Sequence, residues 1–239
     1  MKIPFNHWLL TTPVAHRGLW GGEILENSIP AYQNAVDNGY PIEIDLHLST
    51  DGVIFSYHDS NLKRMTGLDK CIHDLSSQEI KSLRLLDTDN QIPTFDEVLD
   101  VVDGKVPLLI EIKFQPNKRV VDKTIERLKS YKGEFAIQSF NPFFVNRVRK
   151  LAPEIIRGVL ACERKVSKKR FNNFVIKRMP FNWLVKPDFI SHSHTGLPLK
   201  KHKVKNLPVI TWTVTDQATA DKVKPYAKNI IFEKFIPTK

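Results

Sequence analysis

Acidic, basic and histidine side chains recur at the carboxyl ends of several predicted strands in this 239-residue chain. Glu43 and Asp45 lie two residues apart on one predicted strand, so their side chains share a face. Glu111 and Lys113 repeat that spacing on a later strand. In a barrel of parallel strands the carboxyl ends form one rim, so we expect these four side chains to converge.

Two histidines also end predicted strands, His16 next to Arg17 and His58 next to Asp59. An imidazole has a pKa of about 6.5, which suits proton transfer near neutral pH. The arginine can hold a phosphate through two parallel hydrogen bonds, and Lys113 adds a second fixed positive charge.

Three carboxylates that face one small volume repel each other, and a hard divalent cation relieves the repulsion. All-oxygen ligands favour Mg²⁺ or Ca²⁺ over zinc. A cation, a phosphate clamp and two proton carriers together indicate metal-assisted hydrolysis of a phosphodiester. Each motif alone is better explained by a turn, a wet strand face or an ion pair, so the prediction depends on their joint placement.

Short apolar runs alternate with helical patterns along the whole chain. Predicted helices span 27–38, 94–102, 118–129, 142–151 and 216–223. The predicted strands span 14–16, 42–48, 53–57, 107–113, 135–139, 156–160, 189–191, 209–213 and 230–232.

Asp51-Gly52 is typical of a hairpin turn, so the strand at 53–57 is interpreted as a return arm that pairs locally. Eight strands with interleaved helices then remain, which favours an α/β fold of the (β/α)₈ TIM-barrel class over an open sheet. We expect one domain over residues 1–239, with a small insertion at 59–92 after the second strand.

The ordered motifs resemble the glycerophosphodiester phosphodiesterase family. The resemblance runs from residue 15 to about residue 214. Its motifs are Ala15-His16-Arg17-Gly18, Glu26-Asn27-Ser28, Glu43-Ile44-Asp45, Asp51-Gly52, His58-Asp59, the segment 62–67, Ile92-Pro93-Thr94, Glu111-Ile112-Lys113, Gln138-Ser139-Phe140 and Trp212-Thr213-Val214.

That resemblance implies a (β/α)₈ barrel that hydrolyses glycerophosphodiesters to glycerol 3-phosphate and an alcohol, in glycerol and lipid metabolism. It assigns His16 and His58 as the acid/base pair. The implied ligands of one divalent cation, Mg²⁺ or Ca²⁺, are Glu43, Asp45 and Glu111. Arg17 and Lys113 would hold the phosphate, and Trp212 is a further candidate for substrate contact. The resemblance does not decide which histidine is the acid, which alcohol leaves, or whether water or a substrate hydroxyl attacks first.

Several other residues are given structural interpretations. Phe232-Glu233-Lys234-Phe235 departs from the Thr-Asp-Xaa-Pro pattern that often ends the family's last strand, which puts the rim there in doubt. His47 is interpreted as solvated. The histidines of Ser191-His192-Ser193-His194 are interpreted as part of a polar rim loop, because no third ligand accompanies them.

The net charge of +10 is concentrated in residues 163–205, which hold 12 basic and 2 acidic residues. This segment could dock an anionic lipid surface, and a lysophospholipase D-like activity is the alternative within the same chemistry. A binding protein with an inert barrel is the alternative of another class, although no nucleic-acid motif is present and we expect no nucleic-acid partner. Two distant cysteines exclude a disulfide scaffold. The chain lacks a signal-peptide pattern, so we expect a cytoplasmic protein of unknown oligomeric state.

Overall fold

The computed structural model of the chain describes residues 3–163, 170–200, 204 and 206–238. The chain forms two compact units, one of Arg17–Glu134 and one of Met1–His16 with Phe135–Lys239. Within the described residues the strands are β1 (Val14–His16), β2 (Ile42–Leu48), β3 (Ile54–Ser56), β4 (Leu108–Ile112), β5 (Phe135–Ser139), β6 (Arg157–Ala161), β7 (Phe189–Ser193), β8 (Val209–Val214) and β9 (Asn229–Phe232).

The Arg17–Glu134 unit is built on two parallel strands, β2 and β4, which pair with Asp45 opposite Glu111. The short strand β3 pairs antiparallel with β2, as the Asp51-Gly52 turn predicts. Every residue of β2 is buried, which is usual for a strand covered on both faces. The helices of this unit are α2 (Ile29–Asp37), α3 (Lys63–Thr66), α4 (Ser77–Lys81), α5 (Phe95–Val102) and α6 (Arg119–Leu128).

Local sequence explains where these helices begin. The Ser28 side chain accepts a hydrogen bond from the backbone of Ala31 at the start of α2. Thr94 and Glu97 form a capping box at the start of α5. The region predicted as an insertion, 59–92, contains α3 and α4, and its apolar side chains pack into a cluster with Phe55. That cluster gives the region a core of its own.

The other unit is a run of parallel pairings in the order β1, β9, β8, β7, β6, β5. Its helices include α1 (Trp8–Thr11), α7 (Pro142–Leu151), α8 (Arg170–Arg178), α9 (Asn182–Val185) and α10 (Gln217–Val223). An apolar cluster of this unit includes Val145, Val159, Met179, Val185 and Ile190.

Eight parallel strands alternating with helices, counted over the described residues, are the element order expected for a (β/α)₈ barrel. The predicted strands are all present, and no end is displaced by more than two residues. The short helices α1, α3, α4 and α9 and the helix α8 were not predicted. In the described part of the chain, no helix combines the length and the apolar character that crossing a bilayer requires. The single domain remains a prediction.

Candidate active site

Three buried carboxylates come together on the two parallel strands β2 and β4. The period of a strand puts Glu43 and Asp45 on one face of β2, and the register puts Glu111 beside Asp45. Each residue offers a carboxylate oxygen within 4.8 Å of the other two. Their exposed fractions are 2%, 0% and 6%, respectively. The predicted convergence of these carboxylates is therefore present within this unit.

Two cations lie against this cluster. The Nζ of Lys113 is 3.1 Å from an oxygen of Asp45 and 2.9 Å from an oxygen of Glu111. The Nε of Arg17 is 3.6 Å from Asp45, and the backbone N–H of Arg17 donates to Glu43 at 3.3 Å. The pKa of Lys113 is raised, because the two carboxylates outweigh the cost of burial. Both side chains are therefore cationic at neutral pH.

The pKa values of the carboxylates show a charge imbalance. Burial, together with repulsion from Asp45 and Glu111, raises the pKa of Glu43 well above its usual range. Burial alone would also raise the pKa of Asp45, but Lys113 and other positive groups around it hold it well below its usual range. Two cations leave one of three negative charges uncompensated.

A divalent cation fits this arrangement. The donor set consists of carboxylate oxygens, which are the ligands that Mg²⁺ and Ca²⁺ prefer. The raised pKa of Glu43 is the mark of a buried carboxylate that lacks a compensating charge, and a cation held among the three residues would supply it. A second cluster, Cys71 with His73 and Asp74, has the spacing for a metal but is more exposed.

A buried hydrogen-bond network holds the Asp45 carboxylate from behind. The side-chain amide of Asn27 donates to Asp45 at 3.0 Å. The hydroxyl of Tyr32 donates to the oxygen of Asn27 at 2.8 Å and also contacts the hydroxyl of Ser56 at 2.6 Å. Asn27 thus supports the carboxylate cluster, while Ser28 caps the helix α2.

A chain of alternating charges connects Arg17 to His58. Arg17 donates to Glu26 at 2.7 Å, Arg64 donates to the same oxygen at 2.6 Å, and Arg64 also donates to Asp59 at 2.6 Å. Asp59 lies 2.6 Å from Nδ1 of His58. Burial would raise the pKa of Asp59, but its hydrogen bonds to His58 and Arg64 lower it well below its usual range. The carboxylate therefore fixes the orientation of the His58 ring.

Arg64 is part of the segment 62–67 that resembles the family, yet no role for it follows from the sequence alone. Its partners Glu26 and Asp59 lie 38 and 5 residues away, and only the folded chain brings them to one guanidinium. The only indication of its role in the sequence was that this arginine lies within a motif that resembles the family.

The turn after β1 requires glycine. Gly18 has φ of +85°, and a Cβ there would lie 2.8 Å from the backbone carbonyl carbon of Ala31 in α2. The preceding residue Arg17 also has a left-handed φ, of +59°. This tight turn brings the Arg17 backbone onto Glu43, which explains why a glycine follows the histidine and the arginine.

His16 lies in the other unit, where its Nδ1 is 2.7 Å from Oε2 of Glu233. Both side chains are mostly buried, with exposed fractions of 13% and 15%. The Phe232-Glu233 sequence, which the pattern of the family made doubtful, therefore provides a carboxylate for a predicted catalytic histidine. Sequence reasoning missed this role, because 217 residues separate the two partners.

Trp212 is partly exposed on β8 and meets Phe140 edge to face, with ring centroids 5.7 Å apart. Its indole Nε1 is buried and has no hydrogen-bond partner among the residues that the structure describes. An indole N–H in that situation is available to a ligand oxygen. Substrate contact by Trp212 stays a prediction.

Two histidine interpretations are wrong. His47 is fully buried rather than solvated, because every residue of β2 is covered. Burial, assisted by the charge of Lys113, lowers the pKa of His47 to about 3, so the ring is neutral. His192 is also fully buried, because β7 extends to Ser193, and the segment is a strand end rather than a polar loop.

Comparison with known proteins gives the same assignment as the motifs. The sequence profile of the glycerophosphoryl diester phosphodiesterase family matches residues 16–236. A glycerophosphodiester phosphodiesterase from Caldanaerobacter subterraneus is 32% identical over 164 residues, which are 63% of this chain and 66% of that protein. The rat lysophospholipase D GDPD1 is 33% identical over 138 residues, 52% of this chain. That match covers 43% of the rat protein's own length.

The fold is similar to that of a phosphodiesterase from Oleispira antarctica, solved in complex with its product sn-glycerol-3-phosphate. The TM-score is 0.76 at 23% identity, over 94% of this chain and 93% of the other. This similarity over nearly the whole chain confirms the predicted (β/α)₈ barrel fold. Since the family profile also spans nearly the whole sequence, the chain belongs to the glycerophosphoryl diester phosphodiesterase family, which is a family of phosphoric diester hydrolases.

Proposed function

We propose that this protein hydrolyses glycerophosphodiesters to glycerol 3-phosphate and an alcohol, with one divalent cation held by Glu43, Asp45 and Glu111. The observation that carries the proposal is the cluster of three buried carboxylates with Lys113 and Arg17 against it. Family membership supports the same chemistry.

A cation at this cluster would polarise the phosphoryl group and stabilise negative charge that develops on its oxygens. Arg17 and Lys113 bind the non-bridging oxygens of the phosphate and so orient the diester.

His16 and His58 transfer the protons. One imidazole removes the proton from the oxygen that attacks phosphorus, and the other protonates the alkoxide as its bond to phosphorus breaks. The carboxylate of Asp59 lies on Nδ1 of His58 and that of Glu233 on Nδ1 of His16. Each pairing orients the ring and assigns proton transfer to Nε2. Asp59 and Glu233 are therefore positioning residues.

A lysophospholipid is the second candidate substrate. The 33% identity to the rat lysophospholipase D GDPD1 is the observation that favours it. The same carboxylates and histidines would act on the phosphodiester of a lysolipid, and Trp212 could border its glycerol or acyl part. An anionic lipid surface at 163–205, a cytoplasmic location and the lack of a nucleic-acid partner remain predictions.

One substrate survey tests the proposal. The purified protein is stripped with a chelator and offered glycerophosphocholine, glycerophosphoethanolamine or a lysophosphatidylcholine, with Mg²⁺ or Ca²⁺ added singly. We expect glycerol 3-phosphate from the two soluble diesters when a cation is present. Turnover of the lysolipid alone would favour the second candidate. No turnover with any combination would refute both.

A further inference from the structure

A group of aromatic residues lies on helix α7 and at the start of helix α9, and these two helices pack against each other. We call this group the aromatic surface and define it by Phe143, Phe181 and Trp183. The rings of Phe143 and Phe181 meet with centroids 5.4 Å apart and planes tilted by 45°. Phe143 is 55% exposed and Trp183 is 68% exposed. A patch of exposed apolar side chains often marks a surface that binds a partner or a membrane.

The exposed aromatic rings are not needed to attach these helices to the hydrophobic core. The inner side of α9 already buries Val185, which packs with Val145 and Met179 in the apolar cluster of this unit. The preceding helix α8 repeats the arrangement, since Val175 and Ile176 are buried while Phe174 is 53% exposed. Both helices thus fill their share of the core and still present an aromatic ring to solvent.

The segment that contains these aromatic residues is strongly basic in sequence. Residues 140–187 contain 12 Lys or Arg and 2 Asp or Glu. Lys150, Arg178 and Lys186 are exposed, and one of the two acidic residues, Glu163, already pairs with Lys177 at 2.6 Å. A partner for this region must therefore be anionic and must also accept apolar rings.

The size of the surface decides among anionic partners. A stable protein interface buries about 800 Å² on each partner, whereas an aromatic side chain supplies about 150–250 Å². Two exposed rings and one half-buried ring fall short of that area. An anionic bilayer needs less, because inserted aromatic anchors and Lys or Arg attraction add together and no matched shape is required.

We propose that this protein docks peripherally on an anionic lipid bilayer through the aromatic surface. Phe143 and Trp183 insert at the level of the headgroups, and Lys150 and Lys186 contact lipid phosphates.

Vesicle binding, measured without turnover, tests the inference separately from the proposed function. The full chain is sedimented with vesicles of phosphatidylcholine alone or of phosphatidylcholine and phosphatidylglycerol in equal parts. We expect binding to the second kind only, and release by salt. Phe143→Ser/Trp183→Ser should lower the affinity at least about tenfold. Phe5→Ser, which removes a ring that is 79% exposed, is the matched control and should bind as the wild type does.

Lys150→Glu/Lys186→Glu keeps the test decisive if the aromatic variant folds poorly, and it should also lower binding. Turnover of soluble glycerophosphocholine should be unchanged in all three variants, which separates docking from catalysis. No sedimentation with anionic vesicles, or equal binding by all variants, would overturn the inference. The inference would also be overturned if the substitutions left vesicle binding unchanged and abolished only dimer formation or the binding of a single-stranded oligonucleotide.

Discussion

Glu233 places a carboxylate oxygen 2.7 Å from Nδ1 of His16, and Asp59 places one 2.6 Å from Nδ1 of His58. Each of the two proposed proton carriers is thus held by a carboxylate at its Nδ1 atom, but the two carboxylates come from different parts of the sequence. Asp59 is the chain neighbour of its histidine, whereas Glu233 comes from the end of the last strand. A ring held at Nδ1 presents Nε2 in a fixed direction, which is the geometry that proton transfer to or from a substrate oxygen requires.

We predict that Glu233→Gln lowers kcat about 10- to 100-fold with little change in KM, because the ring of His16 loses its orientation and the support of its charged form. In a His16→Ala background the same substitution should cost almost nothing, since its target is gone. Steady-state kinetics of the four proteins measures this. Independent, additive losses would show that Glu233 acts through the fold and not through His16.

Glu43 should make stability in a chelator depend on pH. Its folded pKa is raised above the ordinary 4.5, so the folded protein keeps a proton that the unfolded chain has released. The associated stability is complete below about pH 4.5 and is lost as the pH rises, by at most about 1.4 kcal/mol per pH unit.

Thermal unfolding of wild type and Glu43→Gln in chelator measures this dependence. The melting temperature of the wild type should fall more steeply with rising pH than that of the variant. Addition of Mg²⁺ should restore stability to the wild type and much less to the variant. Parallel curves with the same response to Mg²⁺ would refute the proposed cation site at Glu43.

His47 should destabilise the protein in acid. Its folded pKa is about 3 against an ordinary value of 6.5, so between these values the unfolded chain binds a proton that the folded protein refuses. Stability therefore falls as the pH drops through this window, with a slope of at most about 1.4 kcal/mol per pH unit from this group. Urea unfolding of wild type and His47→Gln from neutral pH to about pH 5 should show a shallower dependence in the variant. Equal slopes would show that burial does not keep His47 neutral.

Gly18→Ala should destabilise the protein by about 2 to 4 kcal/mol, because φ is positive and the new Cβ would lie 2.8 Å from the Ala31 backbone. Gly39→Ala is the matched control. Its φ of +71° is similar, but nothing lies within 4 Å of its Cβ, so we expect a loss of about 1 kcal/mol. Urea unfolding compares the two. Equal losses would mean that the helix α2 yields to the extra methyl group.

The sequence allowed the strands and the carboxylate cluster to be predicted because both follow from local periodicity. Alternation puts Glu43 beside Asp45 on one face, and a parallel neighbour can bring Glu111 to the same place. The helix α8 was missed because it lies in a basic segment of the sequence and its buried apolar positions, Val175 and Ile176, form only a short pattern. His47 was misread because it lies toward the end of its predicted strand, whereas every residue of β2 is buried.

The supporting residues lay beyond sequence reasoning for a different reason. Whether Arg64 pairs with Glu26, or Glu233 with His16, depends on how distant segments are brought together, and no local pattern encodes it. Such ion pairs form only when the folded chain brings the two residues together, so they can be identified only from the structure.

The central claim is that a divalent cation held by Glu43, Asp45 and Glu111 is needed for hydrolysis. It is tested most directly by the release of glycerol 3-phosphate from glycerophosphocholine as Mg²⁺ or Ca²⁺ is titrated into chelator-stripped protein. Our account predicts no product without cation, saturable activation by one of the two ions, and a large loss of that activation in Asp45→Asn and Glu111→Gln. Full turnover in chelator, or identical activation in both variants, would contradict it.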